Sequence, residues 1–497
     1  MANFVPSKYQ QAIYDEMRKA EKNIAINALA GSGKTTTILN SLNILPASAS
    51  KIFLAFNKSI VEELKSKVNA PNTEVKTLHS AGFSAMAKIY KSRLDNYKYS
   101  KFLRESLYLL STEITVDTPT NLQEEYRKRV LDILGLSRAG LLETKEQIEE
   151  TAVAHDIEVL NDEADVVLKL MDWGKNKVDV IDFTDMIWIP VVRDLTVRTY
   201  DWVLIDECQD LSPMQKELFL KMINPKNGRF VAVGDPNQSI YYFAAADNDS
   251  FHKIASISNT ITLPLSICYR CNKEIIKKAQ TFVPNIEAKD NAEDGTVNFI
   301  VEDEKFIENL KDSDMVLSRV NAPLTKMCFK AIQAGKAAYV KGRDIGNNLI
   351  SLIKRTKQID VIVMLDFLQQ ELYKTQVKVA QKNGITMEEA KENYAYISLA
   401  DKIACIHVLS FGCDTAQQLI SKIESVFKDT SKGICFSSIH KSKGLEADNV
   451  FILLYKWGLN TKNSVQAQQE ANLQYVSITR AKKCLTFVDN CKGKNKK

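Results

Sequence analysis

The stretch that most constrains this chain is Ala28-Leu29-Ala30-Gly31-Ser32-Gly33-Lys34-Thr35, with Thr36 behind it. An apolar run from Ile24 to Ala28 leads in and an apolar-periodic run from Thr36 to Leu42 follows, so the spacing predicts strand, small-residue loop and helix. That order is the setting of a phosphate-binding loop. Gly31 and Gly33 let backbone N–H groups turn inward, and the new helix offers free N–H groups and its positive dipole end to phosphates. Lys34 is expected to reach the β and γ phosphates, and the Thr35 hydroxyl to hold Mg²⁺. Ala28 stands where the simplest pattern has glycine, and it still leaves room for the loop.

Further polar strand ends surround this loop in the sequence. Lys51 to Phe56 reads as a strand closed by Asn57-Lys58, and Val75 to Thr77 as another, ending in Thr77-Leu78-His79-Ser80. Ligands gather at such ends in a doubly wound sheet, which suggests a second ligand near the nucleotide. Trp202-Val203-Leu204-Ile205 reads as a buried parallel strand that delivers Asp206 and Glu207 at its end. Asp206 is expected on Mg²⁺ and Glu207 as the base that polarises the attacking water. Arg229 to Val233 is one more buried strand, followed by Gly234-Asp235-Pro236-Asn237-Gln238-Ser239-Ile240-Tyr241-Tyr242-Phe243. Gln238 is placed to sense the γ-phosphate, and the aromatics after it to stack on bases, which contributes about 1–3 kcal/mol per base. Gln10, in a helix started by Ser7, carries an amide able to read an adenine edge.

Length and composition bound the rest. At 497 residues one core is too few, and about three domains is the expectation. With 45% hydrophobic and 26% charged residues the composition is globular, and a net charge of +5 permits a polyanion without requiring one. No export signal and no membrane span is read, so a cytoplasmic protein without membrane partners is expected. Nine cysteines are scattered, and the one close pair, Cys268 and Cys271, lacks the second pair or histidines of a zinc site, so reduced thiols are expected.

The motif order resembles the superfamily 1 DNA helicases of the UvrD/Rep/PcrA kind. The resemblance rests on Gln10, Ala28 to Thr36, Ala55-Phe56-Asn57-Lys58, Thr77-Leu78-His79, Asp206-Glu207-Cys208-Gln209-Asp210 and Gly234 to Tyr241. It continues through Leu265-Ser266-Ile267-Cys268-Tyr269-Arg270, Leu317-Ser318-Arg319-Val320-Asn321-Ala322, Phe436 to Glu446, and Glu470 to Ala481 with Tyr475-Val476-Ser477-Ile478-Thr479-Arg480. The third motif departs from the family, which has Trp then Arg where Phe243 and Ala244 stand.

The resemblance implies an α/β fold of two RecA-like doubly wound parallel-sheet cores, a P-loop NTPase architecture with inserted helical accessory domains. The expected division is 1–89 and 178–262 for the first core, 90–177 for its helical insertion, 263–346 and 433–491 for the second core, 347–432 for a reduced accessory domain, and 492–497 for a basic tail. Strands near Val297 to Val301, Met315 to Ser318, Ile434 to Ser437 and Asn449 to Leu454 support a second α/β core. Helices are expected over Leu122 to Leu134, Asp360 to Tyr373 and Met387 to Leu399.

ATP is the implied substrate and Mg²⁺ the cofactor. The resemblance implies catalytic roles for Lys34, Glu207, Gln238, Arg270 and Arg480. Nucleotide contacts are expected from Gln10, Ala28, Leu29, Ala30, Gly31, Ser32, Gly33, Lys34, Thr35 and Thr36, from Tyr269 stacked on adenine, from Glu446 at the ribose, and from both arginines. Single-stranded DNA, or a junction with duplex, would meet Phe56, Asn57, Lys58, Thr77, His79, Tyr241, Phe243, Asn321, Ser438 and His440. The implied activity is ATP-dependent translocation and unwinding in the 3′-to-5′ direction. The alternative is a nucleic-acid-binding ATPase switch without unwinding, against which the intact Lys34, Glu207, Gln238, Arg270 and Arg480 speak. A GTPase is a third reading; Asn57-Lys58-Ser59-Ile60 lacks the Asp that reads guanine in an N-K-x-D element, and hydrolysis of GTP in place of ATP decides it.

Overall fold

The computed structural model describes residues 5–155, 157, 159, 162–240, 249–303, 305–391, 393–427, 432–455, 457 and 464–489. The chain divides into two units, Met1–Ser266 and Ile267–Lys497.

The first unit contains β1 (Asn23–Ala28), β2 (Lys51–Ala55), β3 (Thr73–Thr77), β4 (Arg93–Leu94), β5 (Val180–Ile181), β6 (Trp202–Ile205), β7 (Arg229–Gly234) and β8 (Thr260–Leu265). Six of them form one parallel sheet in the order β3-β2-β6-β7-β1-β8. The central strands are mostly apolar because both faces are covered, and successive residues supply opposite faces. Ile52, Leu54, Val203, Ile205, Phe230 and Ala232 pack into one core. Phe53, Ala55, Trp202, Leu204, Val231 and Val233 pack into the other. β8 escaped the sequence reading: it lies at the edge, is half-exposed, and carries Pro264, which only an edge strand tolerates.

The chain leaves this core through a narrow neck. β4 and β5 pair in parallel, Arg93 opposite Val180 and Leu94 opposite Ile181, closing the base of an inserted helical block. Its helices are Lys98–Leu110, Thr120–Gly140, Lys145–Ala154 and Glu163–Asn176, around a core of their own that includes Leu103, Leu107, Val130, Leu134, Ile148, Val167 and Leu170.

The second unit opens with β9 (Ile267–Cys268) and β10 (Glu287–Ala288), a two-stranded parallel pair. Then come β11 (Thr296–Val301), β12 (Met315–Ser318), β13 (Ala338–Lys341), β14 (Ile434–Ser438), β15 (Ala447–Leu453) and β16 (Ala481–Asp489). These six form a second parallel sheet in the order β11-β16-β15-β12-β14-β13. Between β13 and β14 lie the helices Arg343–Thr356, Val361–Asn383, Met387–Ala390, Tyr394–Ser410 and Ala416–Val426. The single helix expected over Met387 to Leu399 is two. The first is a short turn capped by Thr386, and Asn393 starts the second by accepting from the Ala395 N–H. No helix among the described residues is long and apolar enough to cross a membrane.

Candidate nucleotide site and strand-binding edge

The loop after β1 has the backbone its composition predicts. Gly31 and Gly33 sit at φ of 66° and 80°, the left-handed region that glycine enters without a Cβ penalty. The helix Lys34–Ile44 follows at once. Ala28, Leu29 and Ala30 are buried, and the Leu29 N–H is anchored on the Leu265 carbonyl at 3.0 Å, which fixes the loop to the edge strand. The Ser32 hydroxyl is buried and finds no hydrogen-bond partner among the described residues. An orphaned donor inside a glycine-turned loop fits an anion. Thr35 is half-buried and Thr36 exposed at the helix start.

Gln10 is held inside the fold. Its amide oxygen accepts from the Ser7 N–H in a capping box and its Nε2 donates to the Thr37 hydroxyl at 3.0 Å, leaving the residue buried. In this arrangement Gln10 braces the first helix against the phosphate-loop helix.

β6 delivers Asp206 and Glu207, both half-buried. Glu207 sits at φ 54°, unusual for a residue with a side chain, and its N–H donates to Asp206 Oδ1 at 2.9 Å. Gln209 Nε2 donates to Glu207 Oε2 at 2.6 Å, and Gln209 Oε1 accepts from the Asp235 N–H at 3.0 Å. Asp235 Oδ2 accepts in turn from Gln238 Nε2 at 2.7 Å. The end of β6 and the end of β7 are thereby joined side chain to side chain. Burial raises the Asp235 carboxyl above its ordinary value, opposed by the positive charge of Lys34 and the Gln238 and Asn237 hydrogen bonds. Burial also drives the Cys208 thiol upward, reinforced by Asp206 and Glu207 and opposed by Lys34. The Lys34 charge is thus felt at Asp235 after β7 and at Cys208 after β6. Tyr241 and Phe243 lie outside the described residues.

Beside this site β2 and β3 end in register, Ala55 opposite Thr77. Phe56 is half exposed. Asn57 and Thr77 each spend their side-chain oxygen on an N-cap, accepting from the Ile60 and Ser80 N–H groups and starting the helices Lys58–Lys67 and Leu78–Ala87. Lys58 is exposed, 3.9 Å from Glu62. Two helix N-termini thus open side by side at one sheet edge. His79 stacks on Phe183 with ring centroids 3.9 Å apart, and burial lowers its imidazole to about 4. Phe183 is 52% exposed and had no part in the sequence reading, although an aromatic in the polar run Asp182-Phe183-Thr184-Asp185 is a usable signal.

The second unit carries the cations. Arg270 Nε meets Glu446 at 2.6 Å and its guanidinium also donates to the Thr479 carbonyl. Glu446 pairs in addition with Lys482 at 2.7 Å. Burial works against its ionisation, and Lys482 and Arg270 outweigh that to hold it below the usual range. Arg480 is buried, donating to the Val476 and Leu445 carbonyls. Tyr269 is 44% exposed. Asn321 N–H and Nδ2 both donate to Asp401, an insertion residue absent from the sequence reading. Ser438 Oγ accepts from the Lys441 N–H, and burial, with Arg319 and Lys441, lowers His440 to about 3. Cys268 and Cys271 are buried, the Cys271 N–H donating to Cys268 Sγ at 3.5 Å. Among the described residues no group of three or more metal-ligating side chains converges.

Comparison with known families gives two matches, the UvrD/REP helicase N-terminal domain over residues 9–257 and the UvrD-like helicase C-terminal domain over residues 387–491. Among curated relatives, an F-box DNA helicase 1 of Gallus gallus is 23% identical over 96% of this chain and 48% of its own length. A probable DNA helicase II homolog of Mycoplasma genitalium is 22% identical over 92% of this chain and 81% of its own. The ATP-dependent DNA helicase Rep of Buchnera aphidicola is 25% identical over 52% of this chain and 42% of its own. The aligned part is thus less than half of the chicken and Buchnera proteins and most of the Mycoplasma one. With the N-terminal match spanning half the chain and the C-terminal match falling in the second unit, this chain belongs to the UvrD-like helicase family.

Proposed function

We propose that this chain is an ATP-dependent DNA helicase and single-strand translocase, working 3′-to-5′. The observation that carries the reading is the hydrogen-bonded path from Glu207 through Gln209 and Asp235 to Gln238, set at the strand ends where Lys34 acts. In the hydrolytic step a water oxygen attacks the γ-phosphorus while Glu207 takes its proton. The bond to ADP breaks with its electron pair on the β-phosphate oxygen. Lys34 and the loop N–H groups hold the phosphates, and Arg270 and Arg480 supply positive charge to the transition state. Thr35 and Asp206 would hold Mg²⁺, which would supply positive charge to the phosphates. DNA lies along the edge formed by Phe56, Asn57, Lys58, Thr77, His79 and Phe183, with Tyr269 reserved for the adenine and Glu446 for the ribose. Asn321, Ser438, His440, Tyr241 and Phe243 complete the strand contacts.

The test is strand displacement on 3′-tailed, 5′-tailed and RNA-containing duplexes, alongside ATP turnover with and without single-stranded DNA. Opening of the 3′-tailed DNA duplex is expected, with turnover stimulated by the strand. Opening of only the 5′-tailed duplex overturns the direction. Strand-stimulated turnover without any opening favours a switch. Lys34→Ala is expected to abolish turnover, and Glu207→Gln to retain ATP binding while stopping hydrolysis.

A further inference from the structure

We infer that Gln209 is the positioning residue of this site: it holds the Glu207 carboxylate in place and ties it to the Asp235–Gln238 strand end. The inference rests on the reading of Glu207 as the base.

Four observations carry it. Gln209 is only 1% exposed, so its amide has no solvent to satisfy it and its partners fix its orientation. Nε2 donates to Glu207 Oε2 at 2.6 Å and lies 3.3 Å from Asp210 Oδ2, while Oε1 accepts from the Asp235 N–H. Turning the amide over would set its oxygen against two carboxylates and its NH₂ against an N–H, so only one orientation satisfies the network. The neighbouring strand end is shaped around it: a Cβ on Gly234 would stand 2.6 Å from Gln209 Oε1 and 2.8 Å from Cys208 Sγ. Finally, Glu207 has a left-handed backbone, a conformation costly for a residue with a side chain, and the Gln209 amide holds its carboxylate in that geometry.

Gln209 gains and loses no proton in this role. Its amide N–H on one carboxylate oxygen limits rotation of the base, and its carbonyl reports the position of the Asp235 backbone. A shift of Gln238 on meeting the terminal phosphate is passed to Glu207 through three hydrogen bonds.

The experiment uses the full chain and four variants: Glu207→Gln, Gln209→Ala, Gln209→Glu, and Glu207→Gln combined with Gln209→Ala. Each is read by DNA-stimulated kcat and KM, by single-turnover hydrolysis of γ-labelled ATP, by affinity for a non-hydrolysable ATP analogue, and by thermal midpoint. Gln209→Ala is expected to lower kcat by about 10²-fold, the scale of a misplaced catalytic group, with nucleotide affinity changed less than about 3-fold. Gln209→Glu keeps an acceptor for Asp235 and sets a carboxylate where Glu207 needs a donor, so it does not rescue. Because Gln209 acts only through Glu207, the double variant is expected to be no slower than Glu207→Gln alone. A Gln209→Ala enzyme with near-normal kcat beside an inactive Glu207→Gln overturns the inference and leaves the base assignment standing. So does a double variant slower by the product of the two single effects, or loss of analogue binding in both Gln209 variants, each of which marks a merely structural residue. Near-normal hydrolysis by Glu207→Gln removes the parent reading itself, and the inference with it.

Discussion

The two helical insertions are attached to their lobes by different physics. The first, between β4 and β5, has a core of its own and docks through a buried cluster of charges beside a smaller apolar contact, where Ala139, Leu141 and Met171 pack on one core of the first sheet. Lys98 and Arg138 from the insertion meet Asp185 at 2.7 and 3.0 Å, Arg138 also meets Asp182 at 2.9 Å, and the Tyr99 hydroxyl donates to Asp185. Lys98, Arg138 and Asp185 are all buried. The second insertion has no such boundary. Leu349, Ile353, Met364, Leu368, Ile406 and Leu409 share one continuous core with Val316, Val340, Phe436 and Leu453 of the second sheet. A mainly ionic joint is directional and lies between two bodies with cores of their own, whereas an extensive shared apolar core makes insertion and sheet one cooperative body.

The largest effect expected from this contrast is on folding itself. Replacing residues 96–178 by a short Gly/Ser linker takes only Ala139 and the flanking Leu141, Met171 and Val178 from one core of the first sheet and nothing from the other, and is expected to give a soluble, cooperatively melting protein. Replacing residues 343–431 strips the second sheet of much of the core it shares, and insoluble protein is expected. Circular dichroism and gel filtration of the two deletions decide it; equal tolerance of both would dissolve the distinction.

Next comes Asp185→Ala. It leaves the buried Lys98 ammonium without its carboxylate and takes one of two from Arg138, at a cost of about 3–5 kcal/mol. The loss is expected at the joint, so hydrogen exchange would rise first in helices Lys98–Leu110 and Thr120–Gly140. A uniform rise across the first unit would show that the insertion and sheet unfold together.

The same contrast explains what the sequence disclosed. The strand–loop–helix at Gly31 and Gly33, the buried strand at Trp202–Ile205 and the helical change near residue 90 were legible because apolar period and glycine placement are local signals. β13 and β16 were not read. β13 is short and half-buried, and Lys482 and Lys483 near the start of β16 mask its apolar run. Pairing across long intervals left no local trace either: Asp235 and Gln209 meet from different strand ends, and Asp401 reaches Asn321 from an insertion. The expectation of a reduced accessory domain over 347–432 drew on the family resemblance and on charged helical pattern, and neither reveals that a helix buries its apolar face in a neighbouring sheet.

Asp401 gives a smaller and sharper handle on the second insertion. It accepts from the N–H groups of Asn321 and Ala322 and from Asn321 Nδ2, so it caps the helix Asn321–Gln333 from outside that helix's own sequence. Asp401→Ala is expected to destabilise the second unit by about 1–2 kcal/mol. It also frees the Asn321 amide, so single-strand affinity is expected to fall with it, by fluorescence anisotropy. Asp401→Asn keeps an acceptor and is expected to fall between. Undiminished stability in Asp401→Ala would show that this contact adds nothing to the apolar packing between insertion and sheet.

The smallest effect is a pH dependence beside the neck of the first insertion. His79, stacked on Phe183 next to Asp182, is held by burial at about 4 against an ordinary value of 6.5. The folded state therefore binds fewer protons than the unfolded chain between those values. Stability contributed by the neutral ring is fully present above about 6.5 and is lost as pH falls toward 4. His79→Phe keeps a stacking ring and removes the titration, so thermal midpoints of the two proteins, matched at pH 7.5, are expected to diverge by pH 5 with the wild type lower. His440, depressed to about 3 in the second unit, titrates in both proteins and cancels from the difference. Parallel curves for wild type and variant would mean that His79 exchanges its proton freely in the fold, and that its stack on Phe183 does not shield it from water.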